Sequence, residues 1–307
     1  MDYQSIINEI AEEVTPFLKD GKVADYIPAL ANVNPQQFAM SLTMFDGTQY
    51  SVGQADALFS IQSISKVFTF TLALKFYGKD TYKRIGHEPS GNPFNSLVQL
   101  EYEQGRPRNP FINAGAINVT DALVNYYGNN DVAYKEILKF IRSISDNDLV
   151  RCNEMVAASE MDHGHRNMAL ANLMKSFNNF DNEVKDVVEV YFRHCSVEMS
   201  TNMLSRAMLY LANHGVDPIT GKIYISDSQA KRINAVMLTC GHYDASGDFA
   251  YHVGLPGKSG VGGGIVAIIP KVMGISVWAP GLNANGNSLV GTMALKLFTT
   301  KTGLSIF

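Results

Sequence analysis

Near the start of the chain, apolar residues recur at helical spacing (Ile6, Ile7, Ile10, Val14, Phe17 and Leu18), and the run stops before Gly21. Side chains three and four apart share a helix face and glycine commonly follows a helix end, so the spacing predicts an opening amphipathic helix. Phe38, Met40, Leu42 and Met44 then alternate with other residues, and after Asp46-Gly47 the alternation resumes with Tyr50 and Val52. Period two on both sides of a tight-turn signal predicts an antiparallel hairpin. From about Ser63 to Thr239 the period is helical, as in Val132 to Ile144 and Met203 to Leu211, with Gly, Asn and Pro interruptions. Phe249 to Val253, Gly264 to Ile269 and Met273 to Trp278 read as three short strands, and a last helix starts near Asn287.

Strands at both ends of the chain bracket a helical middle. The simplest assembly is an α+β fold: one antiparallel sheet built from residues 1–62 plus 240–307 and flanked by the terminal helices, with an all-helical domain inserted over 63–239. A cleft between the two parts is the natural place for a site.

Composition narrows the class. The chain has 307 residues, 46% hydrophobic and 18% charged, a balance that supports a packed core and excludes extensive disorder. A formal charge of -4 without a Lys/Arg-rich run excludes a nucleic-acid surface. No stretch reaches the roughly 18 uncharged apolar residues of a membrane-spanning helix, and no export signal follows Met1. Cys152, Cys195 and Cys240 are odd in number and far apart, which fits a reducing cytoplasm rather than a disulfide or metal framework.

Candidate chemistry centres on Ser63-Ile64-Ser65-Lys66. On a helix the serine and lysine at i and i+3 lie on one face. A hydroxyl becomes a nucleophile when a base takes its proton, and a lysine serves if burial or a neighbouring cation lowers its pKa. The helix N-terminus adds positive field. Ser228-Gln229-Ala230-Lys231 has the same spacing, but it follows Asp227 at the start of an exposed helix, where Ser caps and Lys is solvated. Apolar residues flank Ser63: Leu58-Phe59 before it, Val67-Phe68 after it.

Lys258-Ser259-Gly260 lies between the predicted strands Phe249 to Val253 and Gly264 to Ile269, and serine amidases of the penicillin-recognising type carry Lys-Ser/Thr-Gly on a strand beside a Ser-x-x-Lys helix. Lys258 would supply a second cation that lowers the pKa of Lys66, and Gly262, Gly263 and Gly264 would leave room for a substrate. Lys301-Thr302-Gly303 reads as a helix C-cap and Ser145-Asp146-Asn147 as a helix stop, so neither literal match to the β-lactamase motifs is assigned chemistry. His163 and His165 read as loop residues without a third ligand, and no metal or cofactor is expected.

These blocks, together with Asp25-Tyr26-Ile27-Pro28, Asn109-Pro110-Phe111-Ile112-Asn113-Ala114-Gly115-Ala116, Ser159-Glu160, Arg166-Asn167, Tyr191-Phe192, Gly241-His242-Tyr243 and Val253-Gly254-Leu255-Pro256, make the chain resemble the serine-dependent glutaminases of β-lactamase-like fold over nearly its whole length. The resemblance implies Ser63 as nucleophile, Lys66 as base, Tyr26 and Tyr243 near the reacting groups, and the N–H groups of Ser63 and Val261 as an oxyanion hole. It implies that Gln62, Asn113, Glu160, Asn167, Tyr191 and Tyr243 hold L-glutamine, with Glu160 facing the α-ammonium. It also implies a homo-oligomer, dimer or tetramer, of the short bacterial form, since the chain ends soon after its last helix. Gly257 departs from the alanine usual there. Two other readings share parts of the pattern: a β-lactamase or D-Ala-peptidase, and an amino-acid sensor that has lost the chemistry.

Overall fold

The computed structural model describes residues 1–25 and 27–307, so Tyr26 lies outside the described residues. The described residues hold eight strands: β1 Ala39–Met44, β2 Gln49–Gly53, β3 Phe59–Ser60, β4 Arg151–Cys152, β5 Val197–Met199, β6 Gly257–Ser259, β7 Gly264–Ile269 and β8 Met273–Trp278. Five form an antiparallel sheet in the order β2-β1-β8-β7-β6, so both chain ends contribute. The β1–β2 turn is closed by Asp46, whose carboxylate accepts from the Thr48 N–H at 2.9 Å, and by Gly47 at φ +87°. The antiparallel α+β arrangement agrees with the expectation.

Period two sorts the side chains of the sheet. Met40, Leu42, Ile265, Ala267, Ile275 and Val277 pack with Ile7, Ile10 and Val14 of the Tyr3–Val14 helix and with Leu295 and Phe298 of the Leu289–Thr302 helix. On the opposite face, Ser41 and Thr43 meet Thr201 and Ser205 through hydroxyl contacts of 2.8 and 2.7 Å. There the Thr201–Ala207 helix crosses the sheet closely, and Val266, Ile268 and Trp278 join the core of the helical layer.

Three details differ from the expectation. Phe249 to Val253 is not a strand: it lies in the Ser246–His252 helix and at its C-cap. Its two buried apolar residues, Phe249 and Val253, are four apart, which is helical spacing. The helical middle also holds β4 and β5, which pair with β3 in a three-stranded sheet. Strands of two or three residues are too short to show a period. Met203 to Leu211 is divided between Thr201–Ala207 and a short helix at Leu209–Ala212.

The two literal decoys hold as structure. Gly303 caps its helix at φ +67°, and Asp146 ends the Asn130–Ser145 helix at φ +52°. Ser228 and Lys231 are exposed on the Asp227–Cys240 helix, although the capping residue is Ser226, through a reciprocal bond pair with Gln229.

Candidate active site

Ser63 sits in a 3-10 turn, Gln62–Ile64, that runs into the Ser65–Tyr77 helix. Every residue from Ser65 to Leu74 is buried, polar and apolar alike, so this helix runs through the interior. Gln62 takes φ +48°, unfavourable for a non-glycine residue, and is held there from both ends. Its side-chain amide donates to Ser60 Oγ at 3.0 Å, and its carbonyl accepts from Ser65 Oγ at 2.8 Å. Ser65 in turn contacts His194 Nδ1 at 2.8 Å, and Thr120 contacts His194 Nε2 at 3.1 Å. Burial and the Lys66 charge lower the pKa of His194 to about 3, so the ring stays neutral in this support layer.

Lys66 is fully buried. Its Nζ donates to Asn113 Oδ1 at 2.7 Å and to the Phe111 carbonyl at 3.2 Å. Desolvation lowers its pKa to about 8, against the anionic tendencies of Cys195 and Glu160, which raise it. The Phe111 carbonyl is aimed by Asn109, whose Oδ1 accepts from the Phe111 and Ile112 N–H groups at 3.0 and 3.1 Å.

Lys258, on β6, is also fully buried, with Nζ 4.3 Å from the centroid of the Tyr243 ring and donating to the Ser259 carbonyl at 2.6 Å. Burial first, and then the charge of Lys66, hold its pKa well below the usual lysine range. Burial is the largest cause of the lowered pKa at both lysines, where the sequence expectation made the charge of Lys258 the cause at Lys66.

Tyr243 takes φ +58° and is buried. Burial pushes the pKa of its hydroxyl up to about 12, against Ser63 and Ser259, which lower it and which it approaches without a hydrogen bond of ordinary geometry.

The glycines after Lys258 serve the chain, not substrate room as expected. A Cβ on Gly260 would stand 2.5 Å from the Ile61 carbonyl, one on Gly262 2.2 Å from the Ser60 carbonyl, and one on Gly264 2.6 Å from the Phe59 ring. The turn carrying Val261 is thereby seated against the segment leading to Ser63. Among the described residues, neither the Ser63 nor the Val261 N–H donates to a backbone or side-chain acceptor.

A cavity of about 130 Å³ opens at this point, lined by Gln62, Ser63, Asn113, Glu160, Asn167, Tyr191 and Val261 together with Ile27, Phe94 and Arg166. Asn113 begins its helix but does not cap it: its Nδ2 donates to Asn167 Oδ1 at 2.9 Å while its Oδ1 holds Lys66. Desolvation raises the pKa of Glu160 to about 7, against Gln62 and Lys66, which lower it. Tyr191 is buried, 5.8 Å from Lys66 Nζ at its ring centroid, and burial raises its pKa well above the ordinary value. Of the residues singled out in the sequence, Lys66, Tyr243 and Lys258 are not in the wall of this cavity. Tyr243 reaches it through Phe94, with ring centroids 4.7 Å apart. Nothing in the sequence marked Phe94. His163 and His165 end and begin two helices, Glu154–His163 and His165–Ser176, rather than lying in a loop, and His163 lines the cavity mouth.

The glutaminase family profile matches residues 21–307. A glutaminase from Aliarcobacter butzleri is 62% identical over 307 residues, all of both chains. The chain belongs to the glutaminase family. Such identity over the full length makes it an amidohydrolase of that family, with the β-lactamase-like fold of its solved relatives. The probable glutaminase ybaS superposes with a TM-score of 0.94 at 36% identity, over 100% of this chain and 99% of that one. A probable glutaminase from Bacillus subtilis, solved with 6-diazo-5-oxo-L-norleucine, gives a TM-score of 0.90 at 34% identity, over 100% and 98%.

Proposed function

We propose that the chain hydrolyses the side-chain amide of L-glutamine to L-glutamate and ammonia through an acyl-enzyme on Ser63, with Lys66 as its base. The observation that carries the reading is a buried lysine with a lowered pKa, one helical turn from a serine that lines a small polar cavity. With a pKa of about 8, roughly a tenth of Lys66 is free amine at neutral pH, enough to take the serine proton. Ser63 Oγ attacks the amide carbon, and the oxygen that gains charge is received by the free N–H groups of Ser63 and Val261. The nitrogen leaves as ammonia after taking a proton from Lys66, or from Tyr243, which stays protonated at working pH. Water then cleaves the ester and frees the enzyme.

Glu160 pairs with the substrate α-ammonium in this reading, while Asn113, Asn167, Tyr191 and Gln62 fix the rest of the amino acid. Tyr26 is assigned near the reacting groups by the family resemblance. Two lobes, 1–62 with 240–307 and 63–239, are part of the same proposal, supported by the separate core between the sheet and the terminal helices. A reducing cytoplasm is supported by three free cysteines, and a homo-oligomer, dimer or tetramer, by the resemblance. The test is Ser63→Ala: folded variant protein should release ammonia from glutamine at least ~1000-fold more slowly, and substantial remaining turnover would sink the scheme.

A further inference from the structure

Ser259 of the Lys-Ser-Gly block is fully buried and does not line the substrate cavity. Its Oγ donates to Asn287 Oδ1 at 2.5 Å, and its N–H donates to the Gly241 carbonyl at 3.2 Å. The other end of the Asn287 amide, Nδ2, donates to the His242 carbonyl at 3.3 Å. One amide group therefore spans strand β6, next to Lys258, and the turn immediately before Tyr243.

Tyr243 needs such support. Its φ of +58° is costly for a side chain with a Cβ and persists only where the surroundings enforce it. Among the described residues its hydroxyl has no hydrogen-bond partner, and the turn's own main-chain bonds place the ring. Ser246 holds the turn from the other side, donating to the Tyr243 carbonyl at 2.8 Å and accepting from the His242 N–H at 3.0 Å. Asn287 is itself fixed: its N–H donates to Asn283 Oδ1 at 3.1 Å and its carbonyl accepts from the Asn283 N–H at 2.8 Å. The next residue, Ser288, caps the last helix.

We propose that Asn287 is a positioning residue for the reaction: it braces the turn that carries Tyr243 against the strand that carries Lys258, and so sets both relative to Ser63. This rests on the assignment of Tyr243 to the reacting centre. An amide suits the role because it offers an acceptor and a donor at opposite ends; its loss leaves the buried Ser259 hydroxyl only the Gly241 carbonyl at 3.4 Å and the His242 carbonyl only the Ala245 N–H at 3.1 Å, so the tie between strand and turn is gone.

The test compares Asn287→Ala, the milder cut Ser259→Ala, and Tyr243→Phe. Competent sites are counted by mass spectrometry after exhaustive labelling with 6-diazo-5-oxo-L-norleucine, and kcat is expressed per labelled site. A residue that only aids folding lowers the number of sites and leaves kcat per site unchanged. Positioning lowers kcat per site by ~10- to 100-fold, with KM shifted less than about threefold because Glu160, Asn167 and Asn113 lie on other elements. The double variant Asn287→Ala/Tyr243→Phe should be no more than about threefold slower than Tyr243→Phe, because the brace acts through Tyr243. A kcat per site within about twofold of the parent in Asn287→Ala overturns the brace, whatever Ser259→Ala shows. If Tyr243→Phe is as fast as the parent, the assignment of Tyr243 fails first and the brace falls with it; if it is slow and Asn287→Ala is not, the brace alone falls.

Discussion

Lys66 Nζ donates to Asn113 Oδ1 at 2.7 Å, and the same asparagine donates to Asn167, so the assigned base and the substrate cavity share one side chain. The neutral amide lets Lys66 keep a lowered pKa, because it accepts a hydrogen bond without offering a negative charge.

Replacing that amide by a carboxylate is therefore a specific perturbation. Asn113→Asp keeps the shape and places an anion against the ammonium, which raises the Lys66 pKa above its present value of about 8. The rise of kcat with pH should move to higher pH by ~1 unit or more, and kcat near neutrality should fall ~10-fold. An unshifted pH profile would separate Lys66 from the proton-transfer step.

Glu160 sets a second pH dependence of the same sign, read in KM rather than in kcat. Its raised pKa, about 7, means that it takes up a proton as pH falls through that value and loses the charge that pairs with the α-ammonium. KM for glutamine should therefore climb between about pH 8 and about pH 6. Glu160→Gln should show a KM ~10- to 100-fold higher and flat over the same range. Measured KM values that are flat in the parent would rule out this use of Glu160.

Two glycines flank the motif lysine with different tolerances. A Cβ on Gly260 would stand 2.5 Å from the Ile61 carbonyl and 3.3 Å from the Ser63 nitrogen. Neither backbone can yield without moving the nucleophile, so Gly260→Ala should lower kcat ~100-fold. On Gly257 the nearest atoms are His242 Cε1 at 3.0 Å, and Phe249 and the Val266 carbonyl at 3.1 Å. Shifts of a few tenths of an ångström would absorb the methyl there, and Gly257→Ala should keep kcat within about threefold. Equal activities for the two variants would refute this account of the turn.

Ser228 and Lys231 repeat the Ser-x-x-Lys spacing on an exposed helix face. Ser228→Ala and Lys231→Ala should leave kcat unchanged and alter stability by no more than ~0.5 kcal/mol. A loss of turnover in either variant would mean that the wrong serine has been assigned.

The sequence determined the element types wherever a period had room to repeat: the opening helix, the hairpin around Asp46-Gly47, the β7 and β8 strands and the last helix. It also marked Ser63, Lys66, Asn113, Glu160, Asn167 and Tyr191 as a candidate set through ordered motif blocks, and folding gathers them around one cavity. What it left to the tertiary structure are properties of contact. The Phe249 segment shows a helical spacing only once its buried residues are known. The glycines after Lys258 pack chain against chain rather than chain against substrate, because backbone carbonyls and the Phe59 ring, distant in sequence, lie within 2.6 Å of where their Cβ atoms would be. Why the pKa of each motif lysine is lowered depends first on burial, which cannot be read from spacing. Asn287, unremarkable as a residue before a helix, gains its place from a carbonyl and a hydroxyl that only folding brings to the two ends of its amide.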